Sequence, residues 1–240
     1  MSIRNSLLRT YFARRMKAID RFRRHPDQVQ AEMFRQLIAR GADTEFGRRH
    51  GVAKHLTPEA FAARVGVQDY ESFKPYIERM LAGEKNVAAP GRVTLFARSS
   101  GTTSDRSKFI PVTRESVWWN HTLGMRDVAA VYASAKPQTK IFDGKTLTLG
   151  GSYVRENGAL IGDLSAVLIS QTPFWSGWFR APKMETALIP DFDRKIEGIC
   201  RECTREKITA FAGVPSWNLV LMRRVLELSL IHISEPTRPE

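Results

Sequence analysis

The sequence is poor in cysteine: only Cys200 and Cys203 occur in 240 residues. Two cysteines cannot supply the several disulfides of a small secreted scaffold, so the composition favours a reducing compartment, and we expect the cytoplasm. The sequence also lacks an apolar run approaching the roughly 18 residues of a membrane-spanning helix. It has no internal repeat and no low-complexity linker, which argues against a repeat array or tethered modules.

The spacing of Cys200 and Cys203 is that of a zinc or redox pair, but the rest of either pattern is missing. A structural zinc site needs four ligands, and the sequence has no second cysteine pair. A redox pair usually opens a helix after a strand, whereas this one is predicted late in a charged helix. We therefore predict no metal-ligating residues in this chain.

Acidic residues are scarce in the first 24 residues, where Asp20 is the only one. The segment holds eight basic residues, Arg4, Arg9, Arg14, Arg15, Lys17, Arg21, Arg23 and Arg24. It therefore carries more than half of the net charge of +12. Because this excess is local, it does not indicate a basic groove running across the whole fold.

Apolar residues recur at helical spacing through the same segment, at Ile3, Leu7, Leu8, Tyr11, Phe12, Ile19 and Phe22. We favour a peripheral amphipathic helix that docks its apolar stripe on the body of the protein. Contact with a membrane surface or with nucleic acid remains an alternative, and so does an organellar transit peptide. A secretory signal is disfavoured because arginines interrupt any apolar core of the segment.

Turn and capping signals predict a mixed α/β chain with a helical N-terminal layer. Helices are predicted over residues 25–41, 57–65, 69–82, 114–132, 191–205 and 215–227. Strands are predicted over residues 92–97, 146–149, 187–189 and 208–212. We accordingly divide the chain into a helical layer over residues 1–90 and an α/β part over residues 91–227.

The last residues do not fit this pattern. The stretch L-S-L-I-H-I-S-E-P-T-R, from Leu228 to Arg238, reverse-translates to a transposase adapter used to prepare sequencing libraries. We therefore interpret residues 228–240 as read-through and expect the chain to be the N-terminal part of a longer protein. A genuine polar C-terminus is the alternative.

A hydroxyl-rich loop follows the strand predicted at residues 92–97. Residues 98–108 read R-S-S-G-T-T-S-D-R-S-K, which places five hydroxyl side chains around one glycine within residues 99–105 and ends in Lys108. Glycine allows close backbone approach, hydroxyls donate to phosphate oxygens, and lysine supplies a positive charge. The pattern favours a phosphate-binding loop over an ordinary Ser/Thr/Gly turn.

The loop is not a Walker A motif, which requires G-x-x-x-x-G-K-S/T. Gly144-Lys145-Thr146 imitates the end of that motif, but Thr139 stands where the upstream glycine is needed. The residues after it alternate like a strand and do not open a helix. We reject it as a phosphate site.

The segment from Ser99 to Lys108 resembles the phosphate loop of adenylate-forming enzymes, in which S-G-T-T is followed by a lysine. Lys108 lies eight residues after Ser100, one more than in luciferase-like members, and this spacing resembles the auxin-responsive promoter family of acyl acid–amido synthetases. The similarity to bacterial members continues through H-P-D-Q-V-Q-A-E-M-F, T-E-F-G-R-R-H-G, Y-E-S-F-K-P-Y-I-E-R-M-L-A-G-E, K-F-I-P-V-T, I-F-D-G-K-T-L-T-L-G-G-S, G-D-L-S-A-V-L and A-G-V-P-S-W.

The resemblance implies the large domain of a luciferase-like adenylating enzyme. It also implies ATP-dependent activation of a carboxylic acid, with Mg²⁺, followed by transfer of the acyl group to an amino acid amine. The ATP-binding residues it implies are Ser99, Ser100, Gly101, Thr102, Thr103 and Lys108. Lys108 is the residue we expect to act in catalysis, because phosphoryl chemistry depends on charge neutralisation.

Two positions qualify this assignment. Asp105 stands where many members have glycine, and an acid beside a triphosphate is repulsive unless it faces away or meets Mg²⁺. Arg126 lies near the position of a basic residue that faces the acyl carboxylate in the family, although a solvated helix charge is the alternative. Trp118, Trp119 and His121 share its helix and are interpreted as core or pocket wall.

We therefore predict an ATP-dependent carboxylate–amine ligase whose partners are small-molecule acids and amino acids, with no nucleic acid. The later family motifs are absent from the sequence, so we expect the 240-residue chain alone to be inactive. The alternative function is a basic, helix-led protein that contacts nucleic acid or a membrane surface through its N-terminal arm.

Overall fold

The computed structural model describes residues 3–99 and 107–234, with side chains described through residue 227. The helices are α1 (Ile3–Ala13), α2 (Met16–Arg24), α3 (Pro26–Gly41), α4 (Glu45–Arg49), α5 (Pro58–Val65), α6 (Tyr70–Leu81), α7 (Arg114–Ser116), α8 (Leu123–Ala135), α9 (Leu164–Ser170), α10 (Met184–Ala187), α11 (Phe192–Cys203) and α12 (Pro215–Ser234). The strands are β1 (Leu95–Arg98), β2 (Phe109–Val112), β3 (Lys145–Thr148), β4 (Tyr153–Glu156), β5 (Ala159–Gly162), β6 (Arg180–Ala181) and β7 (Ile208–Ala212). The mixed α/β class with a helical N-terminal layer is confirmed.

Local capping chemistry explains why several helices begin where the sequence predicts. The hydroxyl of Thr57 accepts a hydrogen bond from the Ala60 amide at 3.2 Å, and the Asp69 carboxylate accepts one from Ser72 at 2.7 Å. Each bond satisfies one of the unpaired amides of a first helical turn. The observed starts of α5 and α6 lie within one residue of the predicted ones.

The strand predicted over residues 187–189 is wrong. The Ala187 amide bonds to the Lys183 carbonyl and the Leu188 amide to the Met184 carbonyl, which is helical pairing. Ala187 is fully buried. The apolar run therefore belongs to the end of α10 and the residues just after it. The sequence prediction failed because a run of three residues has no periodicity that distinguishes a helix from a strand.

The strands form two sheets. The first has the order β2-β1-β5-β4, in which β1 and β5 are parallel and the outer strands are antiparallel to their neighbours. The second has the order β6-β3-β7 and is parallel throughout. The carboxyl end of β3 leads through residues 149–152 into β4, so the chain passes there from one sheet to the other.

Each sheet has its own apolar core. Phe96 of β1 is fully buried and packs with Ile77 and Met80 of α6, which ties the helical layer to the first sheet. Leu147 of β3 packs with Ile199 of α11 and with residues of α12 on the second sheet. The amphipathic faces of α6 and α11 thus decide which sheet each helix covers.

The helix predicted over residues 114–132 is interrupted by a π-helical turn at Val117–Thr122. The Thr122 hydroxyl bonds to the Val117 carbonyl, five residues back, at 2.9 Å. Such a turn re-aims the side chains that follow it and is often found at functional sites. The turn lies one helical turn before Arg126, the residue predicted to face the acid.

The N-terminal segment docks on the body, but only through part of the predicted apolar stripe. Ile3, Leu7 and Tyr11 are 82, 66 and 48% exposed, whereas Asn5 is fully buried. Asn5 donates to the Thr139 carbonyl at 3.0 Å, and Phe12 stacks on Phe142 with ring centres 5.1 Å apart. Polar anchoring by Asn5 therefore adds to the apolar docking that the sequence predicts.

Candidate functional site

The hydroxyl-rich loop connects the two strands of a β-hairpin. Strands β1 and β2 are antiparallel, and Arg98 lies opposite Phe109. Beyond that pair, the Ser99 amide donates to the Lys108 carbonyl at 2.9 Å, and the Lys108 amide donates to the Ser99 hydroxyl at 3.0 Å. Two of the residues predicted to bind ATP therefore close the base of the loop against each other.

The rest of the predicted phosphate loop, Ser100, Gly101, Thr102 and Thr103, lies outside the described residues, as does Asp105.

The start of α6 supports the base of the loop. The Tyr70 hydroxyl accepts a hydrogen bond from the Phe109 amide at 2.9 Å, and the Lys108 ammonium lies 5.2 Å from the centre of the Tyr70 ring. Hydrogen bonds from Ser72 lower the pKa of Asp69, which caps this helix. The charge of Lys108 lowers it further, by a smaller amount. The lysine is thus held beside the loop by an aromatic face that leaves its hydrogens free for an anion.

Arg126 of α8 lies between two aromatic side chains. Its guanidinium carbon is 5.1 Å from the centre of the Tyr11 ring and 6.0 Å from that of Trp118. Its Nε is buried and has no hydrogen-bond partner among the residues that the structure describes. A guanidinium that contacts ring faces and still has a donor without an acceptor can bind a carboxylate, because its planar fork matches two carboxylate oxygens. The sequence did not predict that Tyr11 would contribute to this group.

A tight turn lies at the carboxyl ends of the strands. The Ser152 amide donates to the Asp163 carboxylate at 3.0 Å, and Asp163 directly follows β5. A Cβ on Gly151 would lie 1.9 Å from an oxygen of that carboxylate, so the turn at residues 150–152 requires glycine there. Because β5 is parallel to β1, this turn and Ser99 lie at the same edge of the first sheet.

Lys195 of α11 secures this turn from the second sheet. It is 2% exposed and donates to the carbonyls of Gly150 and Gly151 at 2.7 and 2.8 Å. Burial lowers the pKa of Lys195, and the Asp163 charge opposes that shift. Sequence reasoning missed Lys195, since its partners lie more than 40 residues away and no local pattern marks it.

The two sheets therefore present one shared edge. Ser99 and Lys108 lie at the end of β1, Asp163 follows β5, and the turn held by Lys195 follows β3. Ligands of open α/β sheets bind outside the carboxyl ends of the strands, where backbone amides and helix starts are available. This edge, with Arg126 on the helix that follows the loop, is the candidate site.

The cysteine pair is not part of the site. Burial raises the pKa of the Cys200 thiol. Burial and, to a smaller extent, the charge of neighbouring Glu202 raise the pKa of the Cys203 thiol to about 11. Neither thiol is therefore poised as a reactive thiolate. Among residues 3–99 and 107–234 no group of three or more His, Cys, Asp or Glu side chains could hold a metal ion. No helix in the described part of the chain is long and apolar enough to cross a membrane.

Comparison with solved structures defines the class of the fold. GH3.15 acyl acid amido synthetase superimposes with a TM-score of 0.66 at 18% identity, over 88% of this chain and 38% of that one. Its complex with 2,4-DB gives a TM-score of 0.65 at 19% identity, over 83% and 36% of the two chains. The fold is that of the N-terminal part of an acyl acid amido synthetase.

The chain belongs to the GH3 family. Residues 15–197 match the model described as the GH3 family N-terminal domain. "Probable indole-3-acetic acid-amido synthetase GH3.2" of Oryza sativa subsp. japonica is 34% identical over 106 residues, which are 44% of this chain and 17% of that protein. "Indole-3-acetic acid-amido synthetase GH3.3" of Arabidopsis thaliana is 29% identical over 103 residues, 42% of this chain and 17% of that protein. The matched region thus spans less than a fifth of these relatives' length.

Proposed function

We propose that this chain provides the phosphate-binding and acid-binding part of an ATP-dependent acyl acid–amido synthetase, an AMP-forming carboxylate–amine ligase that acts in the cytoplasm. The observation that carries the proposal is the pairing of Ser99 with Lys108 at the base of the hydroxyl loop, at the carboxyl edge of β1. Membership of a family whose relatives are named amido synthetases supports it.

The residues present suit ATP. Among the described residues, no carboxylate lies within salt-bridge distance of the Lys108 ammonium. The Ser99 hydroxyl accepts there only from the Lys108 amide, so its hydrogen can be donated to a phosphate oxygen. ATP bound with Mg²⁺ would supply an activated α-phosphorus. Lys108 would then offset phosphate charge, while Arg126 would bind one oxygen of the acid's carboxylate and leave the other oxygen to attack.

The proposed reaction has two steps. A carboxylate oxygen of the acid bonds to the α-phosphorus of ATP as the bond to the β-phosphate oxygen breaks, and pyrophosphate leaves. The amine nitrogen of an amino acid then bonds to the acyl carbon, AMP leaves with the electron pair of its acyl–oxygen bond, and the nitrogen loses a proton. The described residues contribute to the first step through positioning and charge, not through a protein nucleophile.

Pyrophosphate exchange tests the proposal. A full-length GH3 protein that carries this chain as its N-terminal region, given Mg-ATP and a carboxylic acid, should incorporate labelled pyrophosphate into ATP before any amine is added. Lys108→Ala should slow exchange by about 10²-fold or more, because one preorganised charge contact is lost. Lys140→Ala, an exposed lysine away from the loop, is the matched control and should leave the rate unchanged. A folded Lys108→Ala enzyme that exchanges at the wild-type rate would show that this loop does not bind the phosphates.

A further inference from the structure

A second polar cavity lies at the opposite edge of the β6-β3-β7 sheet from the candidate site. Its volume is about 660 Å³. It is lined by Lys145 at the start of β3, by β6, by the beginning of α10 and by the last turn of α11 with the residues after it. Lys145 and the end of α11 lie at the amino ends of β3 and β7, and the beginning of α10 follows the two-residue β6, whereas the hydroxyl loop belongs to the carboxyl edge of the other sheet. The cavity is therefore separate from the proposed ATP site.

The side chains that line the cavity carry a net positive charge. Its basic side chains are Lys145, Arg180, Lys183, Arg201 and Arg205, against three glutamates, Glu185, Glu202 and Glu206. Two of those acids are already engaged. Glu206 pairs with Lys145 at 2.5 Å, and Glu202 accepts hydrogen bonds from the Lys183 amide at 2.8 Å and from the Thr186 hydroxyl.

Four of the cations are left without an acid. Within the part of the chain that the structure describes, no carboxylate lies within salt-bridge distance of Arg180, Lys183, Arg201 or Arg205. Like charges that share a cavity repel one another unless a counter-charge joins them. A multiply charged anion would remove that repulsion, and the rigid fork of arginine matches phosphate oxygens.

Arg180 is the most specific of these groups. Among the described residues, its Nε is buried without a hydrogen-bond partner, and its Nη1 makes only a long contact of 3.3 Å to the Thr172 hydroxyl. Burial lowers the pKa of Arg180, and the charge of Glu185 opposes that shift. A buried guanidinium donor without an acceptor is costly, so a bound anion that accepts from Arg180 would satisfy it.

The remaining wall of the cavity is apolar. Phe174 lies at the cavity with 90% of its surface exposed, and Ala181, Pro182 and Met184 add further carbon surface. The volume falls in the range of small-molecule sites and exceeds what an inorganic phosphate fills. A ligand with a charged head and an apolar body fits both halves of the lining.

We propose that this cavity binds a small phosphate monoester with an apolar body, its phosphate held by Arg180 and the neighbouring cations, and its body against Phe174. A phosphate monoester carries close to two negative charges at neutral pH, which suits several unpaired cations better than the single charge of a carboxylate.

Calorimetric titration of the 240-residue chain with phenyl phosphate tests the proposal. Phenyl phosphate should bind at least 10-fold more tightly than benzoate, which has the ring with one charge, and more tightly than inorganic phosphate, which has no ring. Phenol, the uncharged ring, should not bind. Arg180→Met should weaken phenyl phosphate binding at least 10-fold, and so should Arg201→Met, whose exposed side chain can be replaced without disturbing the fold.

Two controls decide where the probe binds. Arg194→Met removes an exposed arginine from α11 outside the cavity and should leave the affinity unchanged. Lys108→Ala should also leave it unchanged, since the hydroxyl loop is not involved. The proposal is overturned if phenyl phosphate does not bind at millimolar concentration, if Arg201→Met binds it like the wild type, or if Lys108→Ala abolishes binding.

Discussion

The guanidinium carbon of Arg126 lies 5.1 Å from the centre of the Tyr11 ring, which joins the first helix of the chain to the helix after the hydroxyl loop. A residue of the basic N-terminal arm thus covers the side chain that we propose to hold the acid. The arm therefore contacts the proposed acid-binding residue as well as packing in the helical layer.

Replacing Tyr11 tests this contribution. In a full-length GH3 protein that carries this chain as its N-terminal region, Tyr11→Ala should raise the KM for the acid roughly 2- to 30-fold, the range of one cation–π contact, and leave the KM for ATP nearly unchanged. Tyr11→Phe keeps the ring and should behave like the wild type. Leu7→Ala, on the same helix and 66% exposed, is the control. Equal acid KM values for Tyr11→Ala and wild type would remove Tyr11 from the site.

Asn5 should account for much of the docking of α1. Its amide donates to the Thr139 carbonyl at 3.0 Å and accepts from the Phe142 amide at 3.3 Å, in a fully buried position. Asn5→Ala leaves those backbone groups unpaired, so the free energy of unfolding should fall by about 1–3 kcal/mol. Urea denaturation measures this, with the exposed Ser6→Ala as control. An unchanged midpoint for Asn5→Ala would mean that α1 is held by other contacts.

Two glycines should respond to alanine in opposite directions. A Cβ on Gly162 of β5 would lie 2.3 Å from the Ser152 carbonyl oxygen and 2.5 Å from the Tyr153 Cα, and backbone atoms cannot rotate away. Gly162→Ala should therefore destabilise the chain by about 1–3 kcal/mol or more. Gly124 of α8 has nothing within 4 Å of its Cβ position, so Gly124→Ala should stabilise by roughly 0.5–1 kcal/mol. Thermal unfolding measures the melting temperatures of both variants. Shifts of the same sign relative to the wild type would contradict this account.

Cys203 should react slowly. Burial and nearby Glu202 raise its pKa from 9.0 to about 11, so at pH 8 the folded chain should hold about 100-fold less thiolate than the unfolded chain. Iodoacetamide labelling followed by peptide mass spectrometry should show that ratio between native and urea-unfolded protein. The same shift makes stability highest below pH 9 and lowers it as the pH rises towards 11, because the folded state binds the proton more tightly. Native labelling at the unfolded rate would refute the assignment.

The features that could be predicted from the sequence are those with a local chemical cause. Thr57 and Asp69 cap their own helices, and the hydroxyl run beside a glycine marks its loop within a few residues. The hairpin of β4 and β5 was missed although Asn157-Gly158 is a strong turn signal, and both residues have positive φ, 49° and 75°. Its strands are four residues each, too short to show a clear alternation.

The missed parts of the site have causes that are distant in the chain. Lys195 reaches back 45 residues to Gly150, and Tyr11 meets Arg126 across more than a hundred residues. Hydropathy predicts that Tyr11 belongs to an apolar stripe, but only the packing of α1 on α8 makes it a neighbour of the arginine. Local patterns therefore predict the loop and its lysine, whereas tertiary packing decides what surrounds them.

The hydrogen bonds that close the base of the hydroxyl loop have a consequence for the length of the loop. Residues 99 and 108 are bonded to each other outside the last strand pair, so the register of β1 with β2 does not depend on how many residues lie between them. Insertion or loss of one residue within the loop should therefore leave the first sheet and its core unchanged. The length of the hydroxyl loop can then change in small steps while the scaffold that carries it stays the same.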